Sequence, residues 1–188
     1  CYNYSMVQRF GFCCKWLNSE SEFGGMKVNA KDRDLNGRST TMRWLREHPE
    51  DAVQRQWDIM NHNATAARKL VQRVGSLPPE RRMVRLGSEM LQGYTEANWI
   101  DWWQQPHIQD HCERIFAPVG EMARKFDVKV SFHPGQFCVL SSESEDIRKR
   151  SVEEFEYHVD MARWMGFGKS FQDGCKINVH ISGKRGPQ

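Results

Sequence analysis

Between Val128 and His133 the side chains alternate, with Val128, Val130 and Phe132 on one side and Lys129, Ser131 and His133 on the other. That period of two predicts a β-strand with one apolar and one polar row. Pro134 and Gly135 stop it, so His133 falls at the strand's carboxyl end with Gln136 and Phe137 on the loop beyond. Lys176-Ile177-Asn178-Val179-His180 repeats the order of Lys129-Val130-Ser131-Phe132-His133. Between the two copies a helix led in by Ser141–Ser144 is predicted to turn Val152, Phe155, Val159 and Ala162 inward and to stop at Gly166 and Gly168. A strand, a helix and a strand of this length make a βαβ crossover. Two neighbouring parallel strands would then deliver two imidazoles to one rim, a pairing that points to a metal.

The same patterning extends upstream. Val7–Phe12 is short and apolar, a first strand ending at Cys13 and Cys14. Val53, Trp57, Met60, Ala64, Ala67, Leu70, Val71 and Val74 recur at helical steps, which predicts a helix over Asp51–Val74; Asn61 and Asn63 leave a kink or two helices open. Met83–Leu86 is a second strand, with Arg85 in its polar row. His107–Phe126 is a helix striped by Ile108, Cys112, Ile115, Val119 and Met122, with Pro118 as a kink. Strands alternating with helices predict a parallel α/β sheet, either an open doubly wound layer or part of a barrel. Chemistry in such folds gathers at the carboxyl ends of the strands.

Two long connections interrupt the pattern. Lys15–Glu50 is polar and carries Lys15, Lys27, Lys31, Arg33, Arg38, Arg43 and Arg46 around Trp16 and Trp44, so backbone phosphates are one reading and a solvated charged surface the other. Glu89–Pro106 holds Tyr94, Glu96, Trp99, Trp102 and Trp103, which would stack on bases or cap the core. His107 and His111 are four apart but lack the glutamate of the zinc-protease arrangement. His158 lies on the last helix, away from the strand ends, as a packed or surface histidine. Lys129 and Lys176 sit two pleats below the strand-end histidines as core ion-pair partners.

Composition narrows the classes. With 27 basic against 24 acidic residues the chain is no general polycation, and any nucleic-acid contact rests on local patches. The six cysteines lack the spacing of a disulfide framework or zinc ribbon, which predicts a reduced intracellular setting. No apolar run approaches the roughly 20 residues of a membrane span, and no secretory signal is present. At 188 residues and 22.1 kDa, one domain is expected.

Ser-Phe-His-Pro-Gly-Gln-Phe at 131–137, Tyr-His at 157–158 and Ile-Asn-Val-His-Ile-Ser-Gly at 177–183 resemble the UV-damage endonuclease family. Arg9–Phe12 and Arg85–Ser88 resemble that family's first two strands. The resemblance implies a TIM (β/α)8 barrel related to endonuclease IV. It also implies a DNA repair enzyme, monomeric on damaged double-stranded DNA, that cleaves the phosphodiester bond immediately 5′ to a UV photoproduct or other lesion and leaves a 3′ hydroxyl. The family binds a cluster of divalent metals, commonly Mn2+, with Mg2+ or Zn2+ as alternatives. By resemblance His133 and His180 are metal ligands, and Glu96 stands where the family has a further histidine; carboxylate suits manganese or magnesium. Gln136 and Phe137 match the residues that wedge into the duplex. Phe12 and Trp16 stand where other members carry a tyrosine and an asparagine lining the lesion pocket, and Lys15 and Arg38 join them as DNA contacts of the basic loop.

A TIM barrel needs eight strands and usually about 250 residues. Four strands and an opening Cys1 lead to the expectation that these residues are the amino-terminal half of the enzyme, inactive or nearly so alone. Two other readings stand. Another metal-dependent TIM barrel, a sugar isomerase or abasic-site endonuclease, would use paired strand-end histidines equally well, but Gln136-Phe137 and the basic loop argue against it. A non-catalytic DNA- or metal-binding remnant follows from the substitutions at Phe12, Trp16 and Glu96.

Overall fold

In a computed structural model, which describes residues 9–17, 30–135, 137–170 and 175–179, four parallel strands lie side by side in chain order. They are β1 (Phe12–Cys13), β2 (Met83–Leu86), β3 (Lys129–Phe132) and β4 (Lys176–Ile177). The register aligns Phe12, Val84 and Val130 in one cross-strand row, and Leu86, Phe132 and Ile177 in another. Val84, Leu86, Val130 and Phe132 are buried, so these rows face the core. Between them runs the row Cys13, Arg85, Ser131 and Lys176, which the pleat turns to the opposite face.

The crossovers are α2 (Pro49–Gly75), α4 (Pro106–Lys125) and α5 (Glu145–Trp164), preceded by α1 (Met42–Glu47) and, before α4, a short α3 (Ile100–Trp103). Pro49 and Pro106 open α2 and α4 at the one turn where a missing N–H costs nothing. α4 packs between α2 and α5, and buried Met60, Val71, Val74, Phe116, Val119, Met161 and Met165 fill the space between helices and sheet. Gly120 makes the α4–α5 contact possible, because a Cβ there would lie 1.8 Å from the Met165 carbonyl oxygen.

Several expectations change. Asn61 and Asn63 do not break α2, which is one helix of 27 residues. Asn61 Nδ2 bonds back to the Trp57 carbonyl at 2.8 Å, and Asn63 spends its amide on tertiary partners described below. Pro118 lies inside α4, which runs from Pro106 to Lys125 as one helix. The polar stretch 15–50 contains a 3-10 helix (Ala30–Leu35) and α1, whose start is fixed by Thr41 Oγ1 accepting the Trp44 N–H at 3.0 Å. Trp103 is fully buried and Trp99 and Trp102 pack on the core edge-to-face, so the tryptophans of the second connection cap the core.

α5 is rotated from the apolar prediction. Of the residues predicted inward, Ala162 is buried, Phe155 and Val159 are half-buried and Val152 is 48% exposed, whereas Ser151, Tyr157, His158 and Met161 are buried. Lys129 is no core partner either; it is exposed and pairs with Asp127 at 3.5 Å. His111 bonds to Asn61 Oδ1 at 2.8 Å and packs on Trp57, a structural assignment, while His107 is exposed.

Candidate functional site

The inward face of α5 carries polar groups at steps of three and four residues, and each holds a loop that leaves a strand's carboxyl end. Ser151 Oγ accepts the Val139 N–H at 2.8 Å and donates to the Ile147 carbonyl at 2.7 Å, anchoring the loop after β3. The Tyr157 hydroxyl accepts the Leu91 N–H at 2.8 Å and donates to the Ser88 carbonyl at 3.2 Å, anchoring the loop after β2. Its ring stacks on Tyr94 at 4.9 Å, and the Tyr94 hydroxyl donates to Asp160 at 3.0 Å. Between these anchors the Glu154 carboxylate accepts a bond from Thr95 Oγ1 at 3.4 Å and faces the Gly135 N–H. Burial raises the Glu154 carboxyl above its ordinary range; Thr95 and Gly135 oppose that rise, and the nearby Glu96 charge adds to it.

His158 completes the stripe and corrects the expectation that it lies away from the strand ends. It is fully buried against Phe132, the last residue of β3, with ring centroids 5.9 Å apart, and against Tyr157 at 4.6 Å. Nδ1 donates to the Glu154 carbonyl at 2.8 Å, while Nε2 is buried without a hydrogen-bond partner. Burial pulls this imidazole down to about 4; the Glu154 carbonyl opposes the shift and His133 adds to it. A neutral ring, with its proton on Nδ1, follows.

A second brace comes from α2. Asn63, fully buried, accepts the Arg38 N–H at 2.7 Å through Oδ1, and its Nδ2 reaches the carbonyls of Arg38 at 2.9 Å, Met90 at 2.8 Å and Glu89 at 3.3 Å. One amide therefore clamps the segment after β1 to the loop after β2. Within the segment after β1, Asn36 exchanges bonds with the Trp16 N–H and carbonyl at 2.9 and 3.0 Å.

Onto this frame fall the residues expected at the site. His133 is half-buried at the end of β3, with Nδ1 3.3 Å from the Asn178 carbonyl beyond β4. The two Lys-to-His copies are not level: Ser131 pairs with Lys176, which offsets the second copy by two residues. Glu96 is exposed in the β2 loop, close enough to Glu154 to repel it. Phe137 is 83% exposed. Lys15 and Arg38 are exposed, whereas Phe12 and Trp16 are half-buried, pack edge-to-face at 5.4 Å and lean on the core. Gln136 and His180 lie outside the described residues. Among the described residues, no three His, Cys, Asp or Glu side chains converge as a metal site.

Sequence reasoning missed Asn63, Ser151, Glu154 and the placement of His158. A signal existed for the α5 residues: Ser151, Glu154, Tyr157, His158 and Met161 follow helical spacing, but only as a polar stripe.

The family profile of UV-endonuclease UvdE matches residues 9–188. This chain belongs to the UV-endonuclease UvdE family. The UV DNA damage endonuclease of Bacillus velezensis is 35% identical over 81 residues, which span 43% of this chain and 22% of that relative. That of Clostridium perfringens is 30% identical over 111 residues, 55% of this chain and 23% of the relative. The crystal structure of SacUVDE superposes with a TM-score of 0.63 at 18% identity, over 93% of this chain and 48% of the other, a likeness of fold. The chain thus spans about half of the solved family structure and matches about a quarter of the curated relatives. Among the described residues no helix is long and apolar enough to cross a membrane.

Proposed function

We propose that this chain supplies the first four βα units of a TIM-barrel DNA repair endonuclease that nicks double-stranded DNA immediately 5′ to UV photoproducts or other lesions. The observation that carries this reading is the β3 terminus in a member of this family: His133 at the strand end, followed four residues later by a phenylalanine that is 83% exposed. A ring this exposed, beside a strand-end histidine, is free to stack on unstacked bases. The strand order supports the barrel. A doubly wound sheet reverses direction at a switch point, whereas these strands run in chain order without one.

A divalent metal, with Mn2+ preferred and Mg2+ or Zn2+ as alternatives, is part of this reading, and His133 at the β3 terminus is the described residue that favours it. His133 holds Nδ1 3.3 Å from the Asn178 carbonyl, a bond that would fix the ring and make Nε2 the nitrogen that meets an ion. His133, His180 and Glu96 would hold the metal, and strands beyond these four would complete the set. When bound, divalent metal supplies Lewis acidity for hydrolysis of the scissile phosphodiester and charge to stabilise the leaving 3′ oxygen. The chain's own residues orient the DNA: Lys15 and Arg38 meet backbone phosphates, and Gln136 and Phe137 enter the duplex at the lesion.

Relaxation of supercoiled plasmid by the complete gene product with added manganese tests the reading. Irradiated plasmid should be nicked, untreated plasmid spared, and His133→Ala should abolish nicking while damaged-DNA binding survives. Full nicking by His133→Ala would remove that residue from the metal site.

A further inference from the structure

β1 ends in two adjacent thiols, Cys13 and Cys14, both exposed. A continuing strand would send them to opposite faces, but the chain turns sharply there. Lys15 N–H donates to the Cys13 carbonyl at 2.7 Å, and Cys14, at the centre of that three-residue turn, has φ 65°. This is the uncommon γ-turn, a strained bend for a residue with a Cβ. The turn is anchored by Cys14 N–H bonding to the Arg85 carbonyl at 2.8 Å. Partial burial and the neighbouring Cys13, with Glu89 behind it, raise the Cys14 thiol above its ordinary value, and the positive charges of Arg85 and Lys15 oppose that rise.

The other described thiols are spoken for. Cys112 and Cys138 are buried, and Cys138 donates to the Ser151 carbonyl at 3.3 Å. Cys175 donates to the Val130 carbonyl at 3.2 Å. Burial pushes Cys112 and Cys175 up to about 12, away from reactive thiolates.

We propose that Cys13 and Cys14 form a dithiol site for thiophilic metal or metalloid ions that take two thiolates, at the carboxyl end of β1 beside Arg85. The inference does not depend on the proposed endonuclease activity. Two soft donors on adjacent residues make the second bond intramolecular, which raises affinity by about 100-fold or more over a single thiol. With an aryl-arsenic(III) oxide as probe, two As–S bonds form, the As=O bond breaks, and its oxygen leaves as water with the two thiol protons. No electrons change hands.

The test titrates the native protein with phenylarsine oxide and reads intact mass and the number of thiols still open to N-ethylmaleimide. One arsenical per chain should bind with the loss of two reactive thiols. Cys13→Ser and Cys14→Ser should each weaken uptake by about 100-fold or more, and Cys138→Ser should not. Circular dichroism confirms that each variant folds. Retained tight uptake in either single variant overturns the site. So does a wild-type chain that takes up no arsenical, whether or not its two thiols react with maleimide.

Discussion

Removing one oxygen from Tyr157 tests the claim that α5 holds the β2 loop through its polar face. In Tyr157→Phe the ring keeps its stacking on Tyr94 at 4.9 Å and its contact with His158. The substitution removes the acceptor of the Leu91 N–H and the donor to the Ser88 carbonyl. Leu91 is 3% exposed, so its N–H has no route to water, and a stranded buried donor costs about 1–3 kcal/mol. Ser88 is half-exposed and its carbonyl can be rehydrated. The expected loss is about 2 kcal/mol, or about 4–8 °C in Tm for a chain of this size. Tyr94→Phe is the comparison. Its hydroxyl partners, Asp160 and Gln109, lie at half-exposed positions, so the loss should be about 1 kcal/mol. Urea unfolding followed by tryptophan fluorescence measures both. Native-state hydrogen exchange should also show the Leu91 amide losing protection in Tyr157→Phe. A loss below about 0.5 kcal/mol, or one no larger than that of Tyr94→Phe, would refute the brace.

Gly120→Ala should cost about 3 kcal/mol, because the new methyl meets the Met165 carbonyl at 1.8 Å and α4 must move off α5; an unchanged urea midpoint contradicts the close approach. His158 gives a pH dependence with a definite sign. Its folded value near 4 lies below the ordinary 6.5, so the unfolded chain takes the proton first, and stability present above about 6.5 drains away as pH falls toward 4. Between pH 7.5 and 5 the loss from this group is about 2 kcal/mol, and Glu154, whose raised carboxyl works in the opposite sense, returns part of it at lower pH. Equal urea midpoints at pH 7.5 and 5 would contradict the buried neutral ring. Phe137→Ala should leave stability within about 0.5 kcal/mol, since the ring is 83% exposed. On the proposed function it should cut the preference for damaged over intact duplex by about tenfold, the worth of one stacking contact; unchanged preference puts the wedge elsewhere.

How much of this was legible in the sequence depends on how local the cause is. Met83–Leu86 and the strand up to His133 were readable because alternation and a Pro-Gly stop act within a few residues. α1 was missed because six residues in a polar stretch carry little periodicity, though Thr41 is a cap signal. The α5 face is out of phase with its apolar pattern because the inward stripe is built largely from the polar residues Ser151, Tyr157 and His158, with Glu154 half-buried between them. Asn63 looks in the sequence like a weak point in a helix because its partners, Arg38, Glu89 and Met90, lie 25 to 27 residues away. Its burial is affordable only because those bonds exist, and nothing in the local sequence announces them.

The proposed function is tested most directly by where, and whether, damaged duplex is incised. A duplex carrying a single photoproduct and an end label, incubated with the complete gene product and manganese, reports the position and chemistry of incision. The account predicts one cut at the phosphodiester immediately 5′ to the lesion, leaving a 3′ hydroxyl, and no cut in the matched undamaged duplex. Equal nicking of both duplexes, or none of either, would contradict it.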